Sequence, residues 1–384
     1  MADGTRKREL GRGERVLAGV YRLRLPLPWP GVPHGNAWAV RAGDGVVLFD
    51  TGIHEPGSLA HLERAMEMCG LRIEDVRLLV CTHAHSDHYG QAATIIERAG
   101  CELWMHPNWE HARRWAEDPQ GTLLRRLEIA RQSGVPEEPL RRYAAEHADH
   151  DSGIAAIVEP DRALLAGVVV DTDLGPWTVH ETPGHAPSHV CLFQPDHRLL
   201  ISGDHLLGRI SLYFDYGYTP DPVGEFVCSL DVVERLDARL CLAGHGRTFT
   251  DVHAHIQANR ELVAERLSSM RKVLAAVGDE PLTAFEILPR VYGAGLPAPL
   301  AQWLLTETLA MLTHLQATGR ATRIARDGEP ERWAAAGDSS EALGAAEAPE
   351  TRESSAEPGE PYAEPGELSA GPGELSAGPG APAG

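Results

Sequence analysis

At 384 residues the chain is long enough for one large hydrophobic core plus appendages, and its formal net charge of −20 argues against a surface built to grip a phosphate backbone. Ten acidic residues and one arginine fall between 336 and 384, so nine of the excess negative charges belong to that stretch and the body is milder. Six cysteines are scattered without a C-x-x-C pair, which excludes an obvious disulfide framework or thiolate zinc site. With no apolar leader and no run of about 18 apolar residues, the expectation is a cytoplasmic protein without a membrane partner.

Residues 1–14 read as a charged tail. From 15 to 47, short apolar runs separated by Pro and Gly turn signals predict a β-meander. Helical spacing follows over 58–69, then a buried strand over 76–81 and a helix over 91–99. The segment 107–158 differs in texture, with arginine pairs at 113/114, 125/126 and 141/142 and prolines at 119, 136 and 139; it predicts two or three helices inserted into the β framework. Those arginines read either as a basic lid over the site or as solvated helix faces paired with Glu110, Glu117, Glu128 and Glu146.

Strands resume with GVVVDTDLG, WTVHETPGH, HVCLFQP and LLISGDHLL, and the strand-and-loop region closes at RLCLAGHG, which bounds a domain over 15–251. An amphipathic helix over 252–277 opens a C-terminal helical module over 252–333, whose layout suits a small winged-helix-like cap. The apolar helix within it, 303–315, could also serve a homodimer. From 334 to 384 the composition collapses to Ala, Gly, Pro, Glu and Ser, with a seven-residue repeat from Ala356. Such a tail cannot bury enough apolar surface to offset ordering entropy and is expected to be disordered.

The chemistry concentrates in CTHAHSDHYG, where His83, His85, Asp87 and His88 put three imidazoles and a carboxylate within six residues, the ligand mix of catalytic zinc sites. Residues two apart in extended backbone point the same way, so His83 and His85 can grip one ion while Asp87 and His88 turn towards a second. Further candidates end other apolar runs beside a glycine: His185, Asp204 and His245. The aromatics Tyr213, Phe214, Tyr216 and Tyr218 read either as a substrate mouth, with Tyr213 and Tyr216 lining it, or as a plain turn cluster.

These elements together resemble the metallo-β-lactamase superfamily. The H-x-H-x-D-H motif matches at His83, His85, Asp87 and His88. Asp50 to Gly52, Pro183 to His185, Gly203 with Asp204, and Gly244 to Gly246 supply the other four motifs in family order. The resemblance implies an αββα sandwich with inserted helices and a small C-terminal winged-helix-like module. It implies that His83, His85 and His185 bind one metal, that Asp87, His88 and His245 bind another, and that Asp204 bridges them. Asp50 would orient a ligand histidine, and Asp87 would orient a metal-bridging hydroxide and take its proton. Two zinc ions are implied, with iron or manganese as alternatives. Gln91, Ala186 and Ser188 depart from the family pattern near the pocket floor. His85 in place of Glu disfavours the flavodiiron branch, and Asp204 in place of Cys disfavours the main zinc β-lactamase branch.

The activity implied is hydrolysis of a small acyl thioester or ester, of the acyl-glutathione, acyl-carrier or lactone type. A C-terminal module of this layout is also similar to the β-lactamase-like endoribonucleases, which makes cleavage of single-stranded RNA the alternative. A mononuclear iron persulfide dioxygenase is a second alternative, set back by the retention of Asp87, His88 and His245.

Overall fold

The computed structural model describes residues 10–29, 31–148, 151–278 and 280–336; the N-terminal tail through residue 9 and the repetitive tail from 337 on lie outside the described residues. The first sheet begins as a meander of antiparallel neighbours, β1 (Arg12–Leu17), β2 (Val20–Pro26), β3 (His34–Ala42) and β4 (Gly45–Phe49). Helix α1 (Ser58–Glu67) then crosses over so that β5 (Val76–Cys81) pairs parallel to β4. The one-turn α2 (Ser86–Tyr89) and α3 (Ala92–Ala99) lead to β6 (Glu102–Met105). Beyond it, three helices, α4 (Glu110–Glu117), α5 (Pro119–Gln132) and α6 (Glu137–His147), precede the short edge strand β7 (Arg162–Ala163). The seven strands lie in sequence order.

The second sheet runs β8 (Val169–Thr172), β9 (Gly175–Glu181), β10 (Val190–Gln194) and β11 (Leu199–Gly203) in antiparallel succession. After α7 (Pro222–Glu234), β12 (Leu240–Ala243) joins its edge parallel to β11. The long α8 (Val252–Ala276), α9 (Ala284–Tyr292) and α10 (Ala298–Ala317) follow, and a hairpin of β13 (Ala321–Ile324) and β14 (Arg332–Ala335) ends the described chain.

Side-chain alternation, with its period of two, sorts these strands into layers. In β4, Val47 and Phe49 point between the sheets while Val46 and Leu48 point outward. The inter-sheet core collects Trp38, Val80, Trp177, Val190, Leu192, Ile201 and Leu242, with Phe49 and Trp177 meeting at 5.8 Å between ring centroids. On the outside of the first sheet, Leu48, Leu79 and Leu103 pack on Leu62 and Met66 of α1 and Ile95 of α3. Outside the second, Cys191, Leu200 and Cys241 pack under Phe226 and Leu230 of α7, Ile256 of α8 and the C-terminal helices. Both faces of both sheets are thus covered, which is why strands such as VVLF and LLIS are apolar throughout rather than alternating. The αββα sandwich expected from the sequence is the architecture formed.

Candidate metal centre

Five strands deliver their C-terminal ends to one edge of the sandwich. Asp50 follows β4, the run His83 to His88 follows β5, His185 follows β9, Asp204 follows β11 and His245 follows β12. Loop-to-loop backbone bonds hold the ends in register: Asp50 N to Val80 O (2.9 Å), Val190 N to Thr82 O (2.8 Å), Gly244 N to Gly203 O (2.8 Å) and Asn36 N to Gly244 O (2.7 Å). All seven predicted ligand residues therefore meet, although they span more than 160 positions of chain.

His83, His85 and His185 form the first group. Nε2 of His83 and Nε2 of His185 each lie 3.1 Å from Nδ1 of His85. The other nitrogen of each ring is tied down as a donor. His83 Nδ1 bonds the Thr82 hydroxyl (3.0 Å), which itself donates to Asp50; His85 Nε2 bonds Asp215 Oδ2 (2.8 Å); His185 Nδ1 bonds the Tyr213 carbonyl (3.2 Å). The remaining nitrogens of the three rings are aimed at one another. Burial, reinforced by the charge of His85, drives the pKa of His185 down to about 4, and burial likewise lowers that of His83. These two rings therefore carry no charge at neutral pH.

Asp87, His88, Asp204 and His245 form the second group. His245 Nε2 is 3.1 Å from both Asp87 Oδ2 and Asp204 Oδ2, and His88 Nε2 is 3.4 Å from Asp87 Oδ2 and Asp204 Oδ1. Here too the remote nitrogens are committed, His88 Nδ1 to Asp50 Oδ2 (2.9 Å) and His245 Nδ1 to the His34 carbonyl (3.1 Å). Although burial opposes it, Asp204 and Asp87 raise His245 to about 10. The two carboxylates are held well below their usual range by His88 and His245 against the cost of burial. Asp204 also lies 3.7 Å from His185 Nε2, so its carboxylate joins the two groups.

This donor set fits divalent metal. Tetrahedral nitrogen ligands at about 2.0–2.1 Å from zinc stand about 3.3–3.4 Å apart, close to the spacing of the three converging imidazoles. His88 Nε2 and Asp204 Oδ1 are buried without a hydrogen-bond partner among the described residues, a cost that a cation between them removes. Glycine at 244 keeps the space open: a Cβ there would lie 2.2 Å from Asp204 Oδ1 and 2.7 Å from His88 Cε1. The chain is thus built to bind divalent metal at this edge.

Several neighbours had no sequence signal. Asp215, between aromatics in YFDYGY, orients His85 from 130 residues away. His189 Nδ1 donates to Thr182 Oγ1 (2.9 Å), leaving Nε2 to accept from Asp204 N (3.0 Å), so it fixes the loop of the joining carboxylate. His111 of α4, 6% exposed, bonds Asn108 O through Nδ1 and faces Asp215 and His85 with Nε2 unpartnered among the described residues. Tyr213 does border the cluster, its ring 5.5 Å from that of His185 and 5.9 Å from that of His85. Tyr216 does not: it packs into the cluster beneath the C-terminal helices, with Arg323 and Glu331 of the terminal hairpin as its charged neighbours. Alternation around the intervening Asp215 sends it away. Gln91 braces the Asp50 turn by donating to Thr51 O (2.9 Å), and Ser188 Oγ accepts from Ala84 N (3.1 Å), so two of the three family departures bond backbone.

A family model described as "Metallo-beta-lactamase superfamily" matches residues 30–245. The chain is 25% identical over 287 residues to "Probable metallo-hydrolase YqjP" of Bacillus subtilis, covering 72% of this chain and 85% of that one. It is 23% identical over 345 residues to "Atrochrysone carboxyl ACP thioesterase" of Aspergillus chevalieri, covering 86% and 92%. Among solved structures, a metallo-beta-lactamase family protein from Thermus thermophilus superposes with a TM-score of 0.70 at 25% identity, covering 84% of this chain and 100% of that one.

Proposed function

Because the chain belongs to the metallo-β-lactamase superfamily and is a metal-dependent hydrolase, we propose that it holds two metal ions and cleaves acyl thioesters or esters. His83, His85 and His185 hold one ion, Asp87, His88 and His245 the other, and Asp204 reaches both. The observation that carries this reading is the convergence of five imidazole nitrogens on two adjacent points, joined by one carboxylate. The thioester preference draws on the similarity to a protein named as a thioesterase along 86% of the chain.

Bound divalent metal supplies a Lewis acid for the carbonyl and lowers the pKa of water towards about 7. The protein supplies the rest. Asp87, buried and kept ionised by His88 and His245, orients the attacking water and takes its proton at a carboxylate oxygen. Asp50 and Asp215 hold His88 and His85 in the required tautomers. Tyr213 walls one side of the site.

The test is a parallel assay of the zinc-loaded protein with acyl thioesters, lactones and single-stranded RNA, alongside metal analysis. Two metals per chain and thiol release from thioesters are expected. RNA cleavage without thiol release, or one iron per chain with oxygen consumption, overturns the reading. Asp87→Ala and His245→Ala should each lower turnover by at least about 100-fold, against less than about tenfold for Tyr213→Phe. Comparable losses in all three would contradict the assigned roles.

A further inference from the structure

We propose that the wall raised by the helical insert is a subsite for an oxyanion carried by the substrate, anchored by Arg126. This rests on the thioester or ester reading and adds a substrate class to it: acyl compounds with a carboxylate or phosphate beyond the bond that is cut.

Most paired arginines of the insert are spent on its own glutamates. Arg113 meets Glu117 at 3.0 Å, Arg114 meets Glu110 at 3.5 Å, and Arg141 and Arg142 meet Glu138 at 3.7 and 3.6 Å. Arg126 is different. Among the described residues no carboxylate lies within ion-pair distance of it, and its guanidinium stacks 4.2 Å from the centroid of Trp115. Trp115 is itself pinned by an indole N–H bond to Ser152 O (2.6 Å). A stacked guanidinium keeps its edge donors off the ring; Tyr143 takes one of them, and the rest of that planar fork matches carboxylate and phosphate.

The surroundings place this cation at the metal centre. Trp115 lies one turn along α4 from His111, whose ring stands 5.8 Å from that of His85, so the stacked guanidinium is carried to the edge of the cluster, where desolvation opposes its charge and Asp215 favours it. Tyr213 is the residue whose ring stands 5.5 and 5.9 Å from His185 and His85. Arg126 nonetheless keeps solvent exposure. Helix α10 packs alongside, where Gln302 donates to the Tyr143 hydroxyl (2.8 Å) and the Trp303 ring meets Tyr213 at 4.9 Å. The Tyr218 ring lies 5.6 Å from that of His111. Asp215 does not cancel the charge, because it is bonded to His85.

A chain with net charge −20 repels anionic ligands at long range, so an anionic substrate needs a local positive feature to be held near the metals. An arginine without a carboxylate partner, fixed on an aromatic face beside the metal centre, supplies one.

The experiment compares glutaryl and valeryl thioesters, which differ by a terminal carboxylate, each on N-acetylcysteamine and on coenzyme A. In the zinc-loaded holoenzyme, Arg126→Met should lower the anionic-to-neutral ratio of kcat/KM by about tenfold or more, mainly through KM. Arg126→Lys should restore part of it, and Arg141→Met, on an arginine paired with Glu138, should change no ratio. Selective loss on the glutaryl pair assigns the oxyanion to the acyl group, and selective loss on both coenzyme A esters assigns it to the carrier phosphates. Equal losses on all four substrates, or none, overturn the proposal. If the wild type hydrolyses none of them, the thioester reading fails on its own, and the subsite is judged by calorimetric titration with glutarate and coenzyme A. Binding to wild type that Arg126→Met abolishes supports it; no binding to wild type sinks it.

Discussion

Asp50 carries two tasks in one carboxylate. Oδ1 accepts from Thr82 N (2.8 Å), fixing the backbone that leads to His83, and Oδ2 accepts from His88 Nδ1 (2.9 Å), fixing a ring in the other group. Its φ of 63° is a left-handed conformation that non-glycine residues adopt at a cost of the order of 1–3 kcal/mol, tolerated because the bonds it enables hold both groups. Asp50→Ala should weaken metal binding by about 10–100-fold in a chelator competition, and unchanged affinity would remove Asp50 from the site's support. Gly244→Ala should empty the second group more completely, since its Cβ would collide with the Asp204 carboxylate and the His88 ring together. Metal analysis reads this as a drop of about one metal per chain, and full occupancy with unchanged affinity would contradict it. Asp50 was legible because it ends an apolar strand in Asp-Thr-Gly, a local pattern. Asp215 was not legible, because its partner His85 is 130 residues distant and nothing in YFDYGY marks the carboxylate over the aromatics.

The strands were readable as elements for a physical reason: both faces are buried, so each is an apolar run bounded by turn residues, and the ligand residues follow at its end. The insert was readable as helical, and the internal pairs of Arg113 and Arg114 with Glu117 and Glu110 follow from four-residue spacing. What escaped is the difference between Arg125/Arg126 and the other pairs, which depends on how α5 lies against α4 and α6. Leu123, Leu127 and Leu140 form a small cluster separate from the main cores. The insert should therefore open locally, ahead of the sandwich. Asp118 caps α5 by accepting from Gly121 N (2.8 Å), and Asp118→Ala should cost about 1 kcal/mol there. Hydrogen exchange should accelerate by about fivefold in α5 with β5 and β11 unaffected. Equal acceleration in those strands would mean that the insert is not a separate opening unit.

At the scale of the whole molecule, the C-terminal elements share a core with the catalytic sandwich. One buried cluster runs from Leu200 and Cys241 on the outer face of the second sheet, through Phe226 and Ile256, to Met311, Leu315 and Trp333. Trp333, 1% exposed, sits in the terminal hairpin and is tied to Leu282 by reciprocal backbone bonds of 2.7 and 2.9 Å. The sequence marked 252–333 as a separate module because its helical texture changes there, but texture does not reveal which faces are shared. A common core couples the two parts energetically, since neither can expose its half of the cluster without the other losing apolar contact. Trp333→Ala, in the hairpin that follows α10, should therefore destabilise the entire described chain by about 3–5 kcal/mol. Denaturation followed separately by far-ultraviolet dichroism and by release of bound metal should show one coincident transition, shifted together by the substitution. If metal release keeps its wild-type midpoint while the helical signal moves to lower denaturant, the C-terminal elements fold as an autonomous unit and the coupling is refuted.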